Sequence, residues 1–167
     1  PANLGGGAPG AGTDLVGAFI GRGIRNAAVA INDPGAVAAL AATQFGGRAT
    51  IDIGGKGSPL GGQPVRLDVE LISTSGGGFA LEDRNSHLAS MCGARFDMGR
   101  SAVVRHAGVT ILLTSRKAPP FVLGHWPIHV TQPMQHSVIG VQSAVAHPRA
   151  SPCLPHATYP ADPPRPT

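Results

Sequence analysis

The chain has 167 residues, 42% of them apolar and 13% charged, with a formal net charge of +4. That length fits one domain with a core of moderate size, while 24 Gly and 16 Pro favour many turns and short elements and exclude a helical bundle or coiled coil. The arginines are scattered from Arg22 to Arg165 instead of clustering among aromatics, which does not outline a nucleic-acid groove, and no apolar run reaches the ~18 to 20 residues needed to span a bilayer.

The first stretch with character is "NLGGGAPGAGT", Asn3 to Thr13. Glycines without side chains can turn backbone N–H groups toward a ligand, and a helix beginning just after them adds its own unpaired N–H groups. Thr13 is suited to cap that helix, with Asp14 in the first turn and Leu15, Val16, Phe19 and Ile20 on one face until Gly21 and Gly23 end it. "AAVAI", Ala27 to Ile31, is a continuous apolar run that predicts a strand buried on both faces. Asp33 followed by Pro34 reads as a cap and a first-turn proline, and "GAVAALAATQF" predicts an Ala-rich helix running to Gly46 and Gly47.

From Arg48 the period changes to two. "RATIDI" alternates, and in "VRLDVELI", Val65 to Ile72, the residues Val65, Leu67, Val69 and Leu71 fall on one side with Arg66, Asp68 and Glu70 on the other, so each predicts a half-exposed strand. "GGKGSPLGGQP" between them is a loop. Ser101 to Ser115 predicts a hairpin turning at His106, Ala107 and Gly108, and Ser137 to Gln142 predicts one further strand. These elements define an α/β (α+β mixed) domain over residues 1–150, with two helices near the N-terminus packed on a mixed, partly antiparallel sheet. The Pro-rich residues 151–167 read as an irregular tail. The chain opens on Pro1 within its glycine run, which reads as a fragment or a processed product.

Residue types alone leave several chemistries to weigh. Gly5 to Gly10 matches G-x-G-x-x-G, a helix follows, and Asp33 lies where a dinucleotide fold keeps its ribose-binding acid, so a dinucleotide-binding module is one reading. Against it, no strand precedes the glycines and Pro9 removes one N–H from the cradle. A phosphate-binding loop would need Lys-Ser/Thr where Ala11-Gly12 stands. His125 and His129 are four apart but flank Pro127, and His87, His106, His136, His147 and His156 have no metal-ligand spacing. No serine sits in a G-x-S-x-G setting. Cys92 and Cys153 form no C-x-x-C pattern and accompany no signal peptide, which reads as free thiols in a reducing cytoplasm, with a disulfide as the alternative.

Several stretches in order carry more than any one of them: "NLGGGAPGAGT", "IGGK" at Ile53 to Lys56, "DMGRSAVVR" at Asp97 to Arg105, "GVTILLTSRKAPPF" at Gly108 to Phe121, and "GVQSAVAHPRAS" at Gly140 to Ser151. Together they make the chain resemble the C-terminal domain of the MlrC (microcystinase C) family of metallopeptidases. The resemblance implies a parent hydrolase that is zinc-dependent and acts on short or linearised peptides. Its Asp and His metal ligands would lie in an N-terminal partner domain outside this chain, which would bind no metal and be inactive alone. It further implies that Asn3, Gly5, Gly6, Gly7, Ala8, Pro9 and Gly10 sit beside the peptidase site and contact substrate, with His147 and Arg149 as further substrate-binding residues. Ala2, Leu4 and Ala11 stand where the family pattern has Asp, Pro and Asp, and Gln142-Ser143 stands for its Lys-Ser. The rival reading is a non-catalytic module, either dinucleotide-binding or a degenerate remnant kept for interaction.

Overall fold

A computed structural model describes residues 12–56, 63–80, 95–117 and 136–140. The first helix, α1 (Thr13–Gly21), starts from Gly12 in a left-handed conformation, so Gly12 is the cap. Thr13, expected at that position, is instead the first helical residue and is buried. The helix stops as its glycines predict. Gly23 at φ 64 lets Gly23 N–H donate to Ile20 O (3.0 Å) and Ile24 N–H to Phe19 O (2.9 Å), and Ile24 packs back on the core that holds Phe19.

The strand β1 (Ala27–Asn32) follows, then α2 (Pro34–Ala39), β2 (Arg48–Ile53) and β3 (Val65–Ser75). Short β4 (Gly78–Ala80) and β5 (Arg95–Asp97) pair with each other, and β6 (Ser101–His106), β7 (Val109–Thr114) and β8 (Val138–Gly140) complete the set. Six strands make one mixed sheet in the order β2-β3-β6-β7-β1-β8. β1 runs parallel to both its neighbours, β7 and β8, while β2, β3, β6 and β7 pair antiparallel in succession. The expected hairpin is present: Ala107 (φ 49) and Gly108 (φ 83) both take the positive φ that a two-residue turn of this hand requires.

α2 is six residues long, far shorter than the predicted helix to Phe45. After Ala39 the bonding tightens, with Ala41 N–H donating to Ala38 O and Thr43 N–H to Leu40 O, each three residues back. The chain is then drawn to the sheet, where Gly46 N–H donates to Leu71 O (2.8 Å) and Leu71 N–H to Gly47 O (2.9 Å). Alanine propensity yields to these pairings, as a weak local preference does to tertiary hydrogen bonds.

The alternation in β2 and β3 decides which face is inside. Ile51, Ile53, Leu67, Val69 and Leu71 join Val29, Ile31, Val104, Ile111 and Leu113 in a core capped by Val16 and Phe19 of α1, Val37 of α2 and Leu40 just after it. β7 is buried along all six residues, and Ala28, Val103 and Leu112 form a smaller apolar cluster on the opposite face. β1 is likewise buried on both faces as its unbroken apolar run predicts. No helix among the described residues is long and apolar enough to cross a membrane.

β8 is shorter than the predicted Ser137 to Gln142 strand and is docked at its start, where Ser137 N–H donates to Asn26 O (2.8 Å). Beside it, burial holds the His136 imidazole below its usual 6.5, reinforced by the Arg105 guanidinium and opposed by a hydrogen bond with the Asn26 backbone. The folded chain therefore binds this proton less readily than the unfolded chain, so the stabilisation is complete above pH 6.5 and is lost on acidification through the folded value. An NMR titration should place His136 below a free imidazole, and His136→Asn should shrink the fall in Tm between about pH 7 and pH 5. An unchanged fall would contradict this cause.

Candidate functional site

The carboxyl ends of β1 and β7 are stitched together by side chains. Asn32 Nδ2 donates to Thr114 O (3.0 Å) and Thr114 Oγ1 (3.3 Å), and Asp33 N–H donates to the same carbonyl at 3.0 Å. Asp33 then caps α2 as its Asp-Pro sequence predicts, with Oδ1 accepting from Ala36 N–H at 2.9 Å. Its other oxygen reaches across to the segment after β2. Oδ2 accepts from Gly54 N–H at 2.8 Å and from Lys56 Nζ at 3.0 Å.

The "IGGK" stretch acquires a physical reason from this. Gly54 (φ 68) and Gly55 (φ 64) are consecutive left-handed residues, which turn the Gly54 amide back to Asp33 and bring Lys56 alongside it. A Cβ on Gly55 would overlap the backbone nitrogen of Pro64. Lys56 also donates to the carbonyl of Asp52. The carboxylate of Asp33 is 2% exposed and the Lys56 side chain 42%, so the pair runs from the interior to the surface.

These residues line a cleft of about 450 Å³, formed by Asn32, Asp33, Pro34, Gly35, Gly54, Lys56 and Lys117. It opens where the carboxyl ends of the parallel strands β1 and β7 meet the loops that follow them, the usual place for a ligand in an α/β sheet. Its chemistry is that of a donor surface: two lysines over a floor with little side-chain bulk at Gly35 and Gly54. Among the described residues no serine or cysteine lines it, and no group of three or more His, Cys, Asp or Glu could hold a metal ion. Ser75 and Ser101 lie elsewhere, hydrogen-bonded to each other at 3.1 Å, and His106 faces Asp68 O with Nδ1 at 2.8 Å.

The expected substrate-binding residues Asn3, Gly5, Gly6, Gly7, Ala8, Pro9, Gly10, His147 and Arg149 lie outside the described residues, as do His87, His125, His129 and His156 and both cysteines. The chain enters the described fold at the end of the sheet that carries the cleft. A five-residue connection returns α1 to β1, so the two run antiparallel. A Cβ on Gly140, which pairs with Val29, would meet Phe19 and Leu15 at 3.3–3.4 Å, so the turn beginning at Gly12 lies further toward Asn32. Asp33, read from the sequence as a helix cap or as a ribose-binding acid, serves as the cap. Both its oxygens are engaged within the fold, which leaves no ribose-binding acid at this position. Its partnership with Gly54 and Lys56 spans 21 and 23 residues and had no local signal.

Fold and cleft define a mixed α/β domain with a cationic site at the carboxyl ends of its parallel strands. The family model for the MlrC C-terminus matches residues 2–157, and the chain belongs to that family. In structure it is similar to a protein from Mesorhizobium sp. BNC1 described as a candidate metallopeptidase, with a TM-score of 0.71 and 17% identity. That likeness covers 82% of this chain and 27% of the other, so the chain spans about a quarter of that protein's length. No curated protein matches the sequence.

The buried carboxylate gives the site a test. Asp33→Ala leaves the amides of Ala36 and Gly54 without their acceptor and should destabilise the chain by about 2–4 kcal/mol in urea denaturation. Lys56→Met keeps both amides bonded and should cost less. A loss below about 1 kcal/mol for Asp33→Ala would show that the carboxylate does not organise this end of the sheet.

Proposed function

We propose that this chain is the C-terminal domain of a cytoplasmic metallopeptidase and positions short or linearised peptides against a zinc site held by an N-terminal domain. The family match over residues 2–157 carries this reading. The likeness to the Mesorhizobium protein supports it, because this chain corresponds to 27% of that protein and leaves room there for a separate metal-bearing part. The described residues of this chain do not fit a zinc site, and the metal in this proposal belongs to the other domain.

The chain's own part is positioning. The loop of Asn3, Gly5, Gly6, Gly7, Ala8, Pro9 and Gly10 offers backbone N–H groups and an amide side chain to the substrate backbone, with His147 and Arg149 as further contacts. Entry of the chain at Gly12 on the cleft's end of the sheet supports a single substrate-facing edge made of this loop and the cleft. The dinucleotide alternative loses its acidic residue, since Asp33 is closed inside the fold.

The chain alone should hydrolyse no short linear peptide, and joining it to the zinc-bearing domain should produce hydrolysis that a chelator abolishes. Addition of NADH should leave its fluorescence unchanged. A joined protein without activity would favour the non-catalytic interaction remnant, and hydrolysis insensitive to chelation would overturn the metal-dependent reading.

A further inference from the structure

β2 is the outer strand of the described sheet, and among the described residues only β3 pairs with it. An outer strand presents a row of backbone donors and acceptors that can pair with another chain, and natural folds blunt such an edge with lysine, proline or a bulge. β2 has six residues, "RATIDI", with no lysine or proline, and its ladder with β3 runs without a register shift. Its two charges are of opposite sign.

Which groups face outward follows from the ladder. Leu71 N–H donates to Gly47 O, and alternation along the antiparallel pair then turns Ala49, Ile51 and Ile53 toward β3, with the amides and carbonyls of Arg48, Thr50 and Asp52 pointing away. The Asp52 carbonyl fits that direction, since it accepts from Lys56 Nζ. The same three residues are exposed, at 61% for the Arg48 side chain and 48% for that of Asp52, while Ile51 and Ile53 are buried.

This edge is complementary to itself. Turned about a two-fold axis at Thr50, a second β2 lies antiparallel with Thr50 opposite Thr50, and Arg48 stands opposite the partner's Asp52 on each side of the axis. The residues opposed in this register are the outward-facing ones, so their N–H and C=O groups meet while opposite charges face each other twice. A relative slide of one residue mismatches the backbone bonding, and a slide of two loses both charge pairs. The ion pairs within each copy are compatible with the register. Arg48 reaches Asp68 through Nε and Nη2, and Asp52 Oδ1 lies 3.8 Å from Arg66, beyond a hydrogen bond. The second copy extends these into a row of Asp68, Arg48, the partner's Asp52 and the partner's Arg66, in which every neighbour has the opposite sign. Phe45, 71% exposed, stands three positions before Arg48 and adds apolar surface near the end of the same edge.

We propose that β2 pairs with β2 of a second copy of this chain, forming a symmetric dimer centred on Thr50 in which two six-stranded sheets become one. The contact uses the same edge on both copies, so assembly stops at two.

The test is sedimentation of the full chain from about 10 μM to 1 mM, with hydrogen exchange read at both ends of that range. The chain should pass from monomer toward dimer, and the amides of Arg48, Thr50 and Asp52 should slow with concentration while those of Ala49 and Ile51, bonded to β3, stay constant. Arg48→Glu and Asp52→Arg should each weaken the dimer at least about tenfold, and the two together should restore it. A role confined to each copy would give no such rescue, because the double variant breaks the pairs with both Asp68 and Arg66. Thr50→Pro removes an outward N–H that β3 does not use and should leave a folded monomer by circular dichroism; if it does not fold, the charge exchange decides. A chain monomeric throughout the range, a dimer unaffected by folded Thr50→Pro, a double charge variant no tighter than the single ones, or growth beyond two copies would each overturn the proposal.

Discussion

A carboxylate taken out of water is costly unless its lone pairs are filled by donors that the fold holds in place. Asp33 meets that condition with three: the Ala36 amide, the Gly54 amide and the Lys56 ammonium. Those donors belong to α2, to the turn after β2, and to the surface of the cleft. One side chain just past the carboxyl end of β1 thus fixes the direction of the next helix and the path of a loop from the far side of the sheet. The glycine pair at Gly54 and Gly55 follows from this constraint, because only residues that accept positive φ bring both the amide and Lys56 to the same oxygen.

The sheet places that constraint where a ligand can use it. β1 has parallel neighbours on both sides, so its carboxyl end and that of β7 open on one edge, and Asn32 locks the two together through Thr114. β7, buried along its whole length, gives this edge a rigid base. The interior is apolar and does the work of stability, while Asn32 and Asp33 gather a set of polar contacts at the carboxyl end of β1. The chain belongs to the MlrC C-terminal family, and this sheet and its edge are the part of that family's architecture that the described residues build.

Much of the fold was legible in the residues. The apolar run at Ala27 to Ile31, the alternation in "RATIDI" and "VRLDVELI", and the turn at Ala107-Gly108 each state their own structure, because burial on one or both faces leaves a period in the sequence. The Asp33-Pro34 cap was equally local. What the residues hid was non-local: Ala-rich chain after Ala39 leaves the helix because Gly46 and Gly47 bond to Leu71, twenty-odd positions away. The three-residue strands β4 and β5 were too short to carry a period. The cleft was half legible, since "IGGK" and the "SRK" of the later block stood out through the family resemblance, but their meeting at Asp33 depends on strand order. The expected loop and tail residues, Asn3, Gly5 to Gly10, His147 and Arg149, lie outside the described residues.

If Asp33 organises the functional end of the domain, the amides it binds must behave as interior amides although they sit in a cap and a loop. Hydrogen exchange of the native chain measures this directly. The account predicts that Gly54 and Ala36 exchange as slowly as Ile31 in the β1 ladder, because each donates to a carboxylate that is 2% exposed. Exchange of Gly54 at the rate of an unprotected loop amide would contradict it, and the cleft would then lack a fixed geometry.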